Sequence, residues 1–203
     1  MIIAVDGPAA SGKGTIARAL AAHFNLPLLD TGLLYRAVGT SVLQRGGDPS
    51  NADDALAGCG FDDALLGEPP LRSEAAGQAA SRVSAHPAVR AALLKRQQDF
   101  ANQPGGAVLD GRDIGTVIAS HADAKLFVTA SPQARALRRV ADEGGADYGA
   151  ILADIRERDA RDSGRDAAPL QQADDADLLD TTNLTIDAAV QRAIALVEAR
   201  IRR

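Results

Sequence analysis

Residues 2 to 15 combine an apolar run with a glycine-spaced loop, a lysine and a hydroxyl group. Between Gly7 and Gly12 the backbone can curl so that successive N–H groups point inward, towards the positive end of the helix that follows. Lys13 could then reach the outer phosphates of a nucleoside triphosphate, and Thr15 could hold Mg²⁺. The sequence therefore predicts a phosphate-binding loop. The residues predicted to contact the nucleotide are Gly7, Pro8, Ala9, Ala10, Ser11, Gly12, Lys13, Gly14, Thr15 and Ile16.

The loop is a G-K-G-T variant, because Gly14 stands where the strict pattern has its hydroxyl and Thr15 comes one place later. The alternative is a strand, a turn and a helix cap with no ligand. Of the 22 basic residues only Lys13, Lys95 and Lys125 are lysines. A compact ammonium fits a phosphate loop better than a planar guanidinium does, so a lysine at this place favours phosphate binding.

Short apolar runs alternate with helical patterns along the chain, which predicts an α/β fold with a parallel sheet covered on both faces. The predicted strands are 2–6, 27–30, 107–110, 124–130 and 177–180. The predicted helices are 13–24, 31–45, 87–103, 132–143, 148–163 and 185–202, with Pro87 and Pro132 as first-turn residues. Four strands end at a carboxylate, namely at Asp6, Asp30, Asp110 and Asp180. Ligands of such sheets gather at the carboxyl ends of the strands, so we expect the chemistry there.

Two stretches between these elements are polar and rich in turn-forming residues. Residues 46–73 are rich in Gly, Asp and Pro, and residues 142–168 are similarly polar and charged. The first is predicted to be an irregular insertion, and both are candidates for mobile flaps over the edge of the sheet.

Arginines follow two of the predicted strands. Arg36 lies one turn inside the helix after Asp30 and could bind a second phosphate, although a helical arginine is often only solvated. Arg112 and Asp113 stand between Gly111 and a further glycine at the end of the third strand. An Arg-Asp pair bracketed by glycines has little packing role, which favours a ligand.

A third group of arginines lies in the charged helix predicted over 148–163 and just after it. At 100° per residue, Arg158, Arg161 and Arg165 fall within about 60° of one another, with Asp162 on the same face. The alternative is an exposed helix with i, i+4 ion pairs. Phosphoryl transfer needs positive charge around the moving group, and this helix could supply it.

These motifs together resemble the bacterial cytidylate kinases, nucleoside monophosphate kinases of the adenylate-kinase-like group, over nearly the whole chain. The resemblance rests on 7–15, 30–36, 78–81, 87–97, 110–116 and 157–170. Gly-Arg-Asp-x-Gly-Thr and Glu-Arg-Asp-x-Arg-Asp are its specific motifs. The chain departs from the family at Thr31, usually serine, and at 128–130, where many relatives have Leu-Asp-Ala. The insertion between Arg45 and Ser81 is also shorter, so we expect the small sheet built there to be reduced.

The resemblance implies a three-layer P-loop NTPase-type fold with a five-stranded parallel sheet, a short monophosphate-binding insertion and an arginine-rich LID. On this basis the core comprises 1–45, 82–141 and 169–203. Residues 46–81 would form the insertion, and residues 142–168 the LID.

The resemblance also implies reversible, Mg²⁺-assisted phosphorylation of CMP and dCMP by ATP, as part of pyrimidine nucleotide metabolism. Thr15 would bind the metal. The implied catalytic residues are Lys13, Arg112, Arg158 and Arg161. Those implied to read the edge of cytosine are Ser81, Arg90, Asp113 and Arg165. Arg36 and Arg112 would bind the acceptor phosphate, and Arg158 and Asp162 the ribose. Further implied contacts to CMP are Thr31, Tyr35 and Gly111.

Three other functions remain open at this point. A small phosphate-loop kinase acting on AMP or shikimate would not be expected to carry the two arginine motifs. A GTPase-like switch should carry an Asn-Lys-x-Asp motif, which the sequence lacks. A nucleotide-binding remnant without activity is the third, although Lys13 and Thr15 are both present.

Composition and charge limit the classes of partner and the compartment that we expect for this chain. With 203 residues, 46% of them hydrophobic, the chain can bury one core. A net charge of −5 argues against a nucleic-acid polymer as partner. Cys59 is the only cysteine, which excludes a disulfide framework and suits a reducing compartment. No basic leader or apolar stretch of about 20 residues occurs, so we expect a cytoplasmic protein without a membrane partner. The resemblance implies a monomer.

Overall fold

The computed structural model describes residues 1–143 and 147–202. Its five strands are β1 Ile2–Asp6, β2 Leu28–Asp30, β3 Ala107–Gly111, β4 Ala124–Thr129 and β5 Asp177–Asp180. They form one parallel sheet in the order β2-β3-β1-β4-β5. Each predicted strand is confirmed to within one residue at either end.

The central strand β1 is apolar up to its last residue. Helices and neighbouring strands cover it, as is usual in parallel sheets. Its last residue, Asp6, lies opposite Gly111 of β3 and Phe127 of β4. The carboxyl ends of the three middle strands therefore meet at one edge, where the phosphate loop begins.

The described residues form eight α-helices. They are α1 Lys13–Phe24, α2 Thr31–Gln44, α3 Ala52–Gly58, α4 Glu74–Val83, α5 Pro87–Ala101, α6 Pro132–Glu143, α7 Tyr148–Ser163 and α8 Ile186–Ile201. The six predicted helices are confirmed to within two residues, and Pro87 and Pro132 begin α5 and α6 as expected. A π-helical turn, Ile114–Ile118, follows β3.

The main core joins α1 and α8 to the sheet. It contains fully buried residues from β1, β3, β4 and β5, together with the apolar faces of the two helices. A smaller cluster around Ala136, Ile151 and Ile155 packs α6 against α7. The carboxyl edge of the sheet, where Arg112 follows β3, and helix α7, which carries Arg158 and Arg161, thus rest on packed apolar surfaces.

The prediction of an irregular segment over 46–73 is wrong for much of its length. Residues 52–58 form α3, and two 3₁₀ turns span Asp63–Gly67 and Pro69–Arg72. Helix α4 was not predicted at all. Asn51 and Ser73 start these helices by accepting backbone N–H bonds, a role that polar residues share with turns. Within residues 46–81, all of which are described, no strand forms.

By its contacts the chain divides into two compact units. Unit 1 comprises the described part of residues 1–29 and 100–203, and unit 2 comprises residues 30–99. The functional division into a core, an insertion over 46–81 and a LID over 142–168 stays a prediction, and residues 144–146 of that LID lie outside the described part. None of the described helices is long and apolar enough to cross a membrane.

Candidate active site

The phosphate loop packs tightly against the end of β4. A Cβ atom at Gly7 would stand 2.0 Å from the carbonyl oxygen of Val128. Gly12 has a φ of 87° and precedes α1, whose first N–H groups have no acceptor within the helix. Ala10 adopts a φ of 58°, which costs a residue with a side chain about 1 kcal/mol. Contacts from outside the loop offset this strain.

Two carbonyl groups of the loop are held by side chains from other elements. The hydroxyl of Thr181 donates to the Ser11 carbonyl oxygen at 2.9 Å. The Arg135 guanidinium donates to the Ala9 carbonyl oxygen at 3.1 Å. These two bonds restrain the loop by fixing the direction of two of its carbonyl groups.

Lys13 lies at the start of α1 with its ammonium 3.3 Å from Asp110 at the end of β3. A Cβ atom at Gly14 would stand 3.1 Å from the same carboxylate. A side chain at position 14 would therefore crowd the Asp110 carboxylate. The Thr15 hydroxyl accepts from Arg18 at 3.2 Å, and Ile16 is buried beneath the loop.

A cavity of about 380 Å³ opens beside the phosphate loop. Its walls include the loop from Ala10 to Ile16, Arg138 and Asp142 of α6, and Thr181. Apolar side chains close the other side, with Leu184, Ile186, Ala189 and Val190 contributing. Ile186 is 69% exposed, so an apolar surface faces solvent at the rim. The volume and lining fit a nucleoside.

The end of β3 brings two predicted site residues together. The Arg112 guanidinium donates to the Asp162 carboxylate at 2.9 Å, and also to the carbonyl of Gly111. Asp113 is buried, and its carbonyl accepts two N–H bonds from the π-helical turn. The Gly-Arg-Asp motif and the charged end of α7 are therefore in direct contact.

Asp162 is a buried carboxylate surrounded by guanidinium groups. Burial opposes its ionisation, but the charge and hydrogen bond of Arg112 and the charges of Arg158 and Arg165 outweigh this, so its pKa is lowered. The carboxylate stays ionised and holds the arginines in place.

Asp6 is a buried carboxylate whose pKa is raised, in contrast to that of Asp162. Its carboxylate accepts hydrogen bonds from the backbone N–H groups of Ile114 and Gly115, both at 2.8 Å. Burial raises its pKa to about 7, the two N–H bonds lower it, and the neighbouring charges of Asp113 and Asp110 raise it further. Asp6 was predicted only as a strand end, and the structure gives it a role in holding the turn after Asp113.

The three arginines predicted on one helix face differ in their surroundings. Arg158 and Arg161 lie on α7, and Arg161 bonds to Glu157 at 2.8 Å across one helical turn. Helix α7 ends at Ser163, so Arg165 lies beyond it. Arg165 is buried and donates to the Asp162 carbonyl at 3.2 Å. The position of Arg165 thus comes from the chain after the helix and not from helical spacing.

In unit 2, three predicted residues lie on the first two turns of α2. Thr31 is buried at the first position of the helix, which Asp30 caps by accepting from the Gly32 N–H. Tyr35 is buried. Arg36 donates to the carbonyls of Leu71 and Ser73, at 2.8 and 2.9 Å, so it is not merely a solvated side chain.

The remaining predicted residues of unit 2 lie on α4 and α5. Ser81 is buried on α4. The Arg90 guanidinium of α5 stands 5.6 Å from the centre of the Tyr35 ring, and it also donates to the Ser84 carbonyl. A cation over an aromatic face is an attractive arrangement. The structure therefore brings Tyr35 and Arg90 together within this unit.

Sequence reasoning predicted the loop residues that line the cavity but missed its other lining residues and Arg135. The apolar residues at 184–190 have the spacing of core positions, and no motif marks them. Cys59 is partly buried, and this burial raises the pKa of its thiol. Among the described residues, no group of three or more His, Cys, Asp or Glu side chains is arranged to hold a metal ion.

Comparisons with known proteins agree on one family. A family model described as cytidylate kinase matches residues 3–199. A cytidylate kinase from Cereibacter sphaeroides is 61% identical over 202 residues, covering 98% of this chain and 95% of that protein. Another from Methylocella silvestris is 56% identical over 209 residues, covering 98% and 94%. A solved, uncharacterised protein from Eubacterium ventriosum shares the fold, with a TM-score of 0.59, 16% identity, and coverage of 98% and 99%.

Proposed function

Because the chain belongs to the cytidylate kinase family, we propose that it reversibly transfers the γ-phosphoryl group of ATP to CMP and dCMP. The observation that carries this proposal is the end of β3. There Asp110 contacts the phosphate-loop lysine, Lys13, and Arg112 contacts Asp162 of α7. One strand end thus joins the loop that would hold the donor to the two arginine motifs that would hold the acceptor.

ATP would bind with its phosphates on the loop and its base in the adjoining cavity. The backbone N–H groups from Gly12 onwards and the ammonium of Lys13 are positive and complement the negative charge of phosphate oxygens. The flat guanidinium of Arg138 and the exposed side chain of Ile186 offer surfaces for a purine ring. A cavity of about 380 Å³ supports this assignment.

Mg²⁺ would be held by the Thr15 hydroxyl and by the phosphates. This ion usually takes one or two protein oxygens in such sites and keeps water or phosphate as its other ligands. Thr15 lies in the first turn of α1 and lines the cavity, so the residue fits that requirement. Bound Mg²⁺ would neutralise charge on the donor phosphates.

CMP would be recognised through groups that match the edge of cytosine. The buried carboxylate of Asp113 and the hydroxyl of Ser81 can accept from its exocyclic amino group, while Arg90 and Arg165 can donate to the ring acceptors. Asp162 could accept from a ribose hydroxyl. Arg36 and Arg112 would bind the phosphate, with Thr31, Tyr35 and Gly111 as further contacts. These roles are proposed from the resemblance, and the burial of Asp113, Ser81 and Asp162 supports them.

Catalysis would depend on positive charge held around the phosphoryl group. Lys13, Arg112, Arg158 and Arg161 would stabilise the charge that spreads over its oxygens as it passes between nucleotides. No general base is needed, because the acceptor is already a phosphate anion.

The proposal is tested by identifying the products of ATP, Mg²⁺ and CMP by ³¹P NMR. We expect the wild-type protein to form ADP and CDP in equal amounts, and Lys13→Ala to lose at least about 100-fold in kcat because charge at the γ-phosphoryl group is removed. Lys95→Ala is the matched control, since Lys95 is exposed and paired with Asp99 on α5. Equal loss in both variants, or ADP without CDP, would contradict the proposal.

A further inference from the structure

Arg135 is a buried arginine that belongs to no part of the proposed substrate sites. It lies in the first turn of α6 and is 2% exposed. Its Nε donates to the Ala130 carbonyl at 2.9 Å, and its Nη1 donates to the Ala9 carbonyl at 3.1 Å. Both terminal nitrogens also reach the Asp159 carboxylate, with Nη1 at 2.9 Å from it. One side chain therefore connects the end of β4, the phosphate loop and α7.

The bond to Ala9 controls a peptide group of the phosphate loop. Because a peptide unit is planar and trans, the Ala9 carbonyl and the Ala10 N–H lie in one plane and point in opposite directions. Holding the carbonyl outside the loop therefore fixes the direction of the Ala10 N–H. Ala10 needs such support, since it holds a left-handed conformation without being glycine.

The bond to Asp159 controls the position of α7. Asp159 follows Arg158 directly in the chain and precedes Arg161 by two residues, so these side chains move with the same turn of helix. A two-pronged guanidinium–carboxylate pair fixes both distance and orientation, which a lysine at 135 could not do. Asp159 is itself only about a quarter exposed, which limits screening by water.

We propose that Arg135 is a positioning residue for phosphoryl transfer, which sets the phosphate loop and the arginines of α7 at a fixed separation. This inference rests on the proposed function, because it takes Lys13, Arg158 and Arg161 as the groups that stabilise the moving phosphoryl. Through Asp159, Arg135 holds Arg158 and Arg161 in register with the loop. Through Ala9, it holds the loop itself.

A second ion pair between the same two helices provides the matched control. Arg139 of α6 bonds to Asp154 of α7 at 2.9 Å, and both side chains are 17% exposed. This pair joins α6 to α7 one turn or more away from Arg135 and Asp159, and neither of its residues belongs to the phosphate loop. Losing it weakens the packing of α6 on α7 and leaves the bond from Arg135 to Ala9 in place.

The test compares Asp159→Asn, Arg135→Lys and the control Asp154→Asn. For each variant we would measure kcat, the KM for ATP and CMP, the Kd for ATP by calorimetry, and stability to urea. We expect Asp159→Asn to lower kcat at least tenfold with the KM for ATP changed less than threefold, because the loop is still held at Ala9. Arg135→Lys should lower kcat similarly and also weaken ATP binding at least fivefold. Asp154→Asn should keep kcat and ATP affinity within twofold.

The double variant Arg135→Lys/Asp159→Asn should lose no more kcat than Arg135→Lys alone, because both act through one connection. The inference is overturned if Asp159→Asn keeps kcat within twofold, or if Asp154→Asn loses as much. Should Arg135→Lys fail to fold, Asp159→Asn decides alone. An inactive wild-type protein would contradict the proposed function, and the ATP affinities of Arg135→Lys and Asp154→Asn would then decide this inference separately.

Discussion

At the scale of single residues, Asp162 shows how a buried carboxylate can organise several guanidinium groups. It bonds to Arg112 and lies in the field of Arg158 and Arg165, and together they lower its pKa against the effect of burial. Replacing it leaves these positive charges without their common partner. Asp162 therefore supports the arginines, in addition to its proposed contact with a ribose.

The lowered pKa of Asp162 gives a pH-dependent prediction for Asp162→Asn. At pH 7 the variant should lose about 3 kcal/mol of unfolding free energy, because a buried ion pair is broken. The stabilisation is present above the unfolded carboxyl pKa of about 3.9 and disappears as the pH falls through the lower folded value. Urea unfolding from pH 7 to pH 3 should show the difference shrinking in acid. Asp99→Asn, on the surface, should cost less than about 1 kcal/mol throughout.

Asp6 should show the opposite dependence on pH. Its folded pKa of about 7 lies above the unfolded value, so the folded state binds more protons between pH 4 and pH 7. The contribution of this group to stability therefore falls as the pH rises, by about 4 kcal/mol over that interval. Comparing urea unfolding of wild type and Asp6→Asn from pH 4 to pH 8 should show the advantage of wild type declining. A constant difference would mean that Asp6 does not titrate there.

The roles of some of these residues can be predicted from the sequence, whereas the contacts of others cannot. The spacing around Lys13 predicts a strand end and a phosphate-binding loop, and the glycines on either side of Arg112 and Asp113 favour a ligand at the end of β3. The contact of Arg112 with Asp162 joins residues 50 positions apart, and that of Arg135 with Asp159 joins residues 24 apart. Such pairs depend on how α6, α7 and β3 pack, which periodicity within one segment does not contain.

At the scale of elements, the phosphate loop depends on its close packing against β4. Gly7→Ala would place a Cβ atom 2.0 Å from the Val128 carbonyl, so loop and strand must separate. We expect a loss of at least about 3 kcal/mol in unfolding free energy and at least tenfold weaker ATP binding, measured by urea unfolding and calorimetry.

The control for this variant is Gly46→Ala. Gly46 has a φ of 73° but no atom within 4 Å of the added Cβ. It should cost about 1 kcal/mol from backbone strain alone and leave ATP binding unchanged. If both variants lose the same stability and Gly7→Ala binds ATP normally, close packing does not shape the loop.

Long periodic elements were predictable, whereas short helices were not. Helices α1, α2 and α8 have clear apolar spacing and sharp ends, and their boundaries follow from sequence. Helix α4 is ten residues long, and its buried face consists of small residues and one valine, so no run of large apolar residues marks it in the sequence. It is stabilised by close packing on α2, where a Cβ at Gly39 would stand 2.7 Å from the Cβ of Ala79. That close contact is invisible until both helices are placed.

At the scale of the whole molecule, charge is unevenly distributed. The chain is acidic overall, with a net charge of −5, yet the guanidinium groups of Arg112, Arg158 and Arg165 gather around Asp162 near the end of β3. A local group of arginines can bind a small polyanion such as a nucleotide, and a chain that is acidic overall is not expected to bind long nucleic acids. The cytidylate kinase relatives match nearly the whole chain.

The most direct test of the central claim is the selectivity of ADP release with ATP and Mg²⁺ across five parallel reactions, containing CMP, dCMP, UMP, AMP or no acceptor. The proposed set of Ser81, Arg90, Asp113 and Arg165 predicts a kcat/KM for CMP at least about 100-fold above that for AMP, because purines leave buried polar groups unpaired. Without acceptor, ADP release should be close to background. Equal turnover of AMP and CMP, or undiminished ADP release without acceptor, would contradict the account.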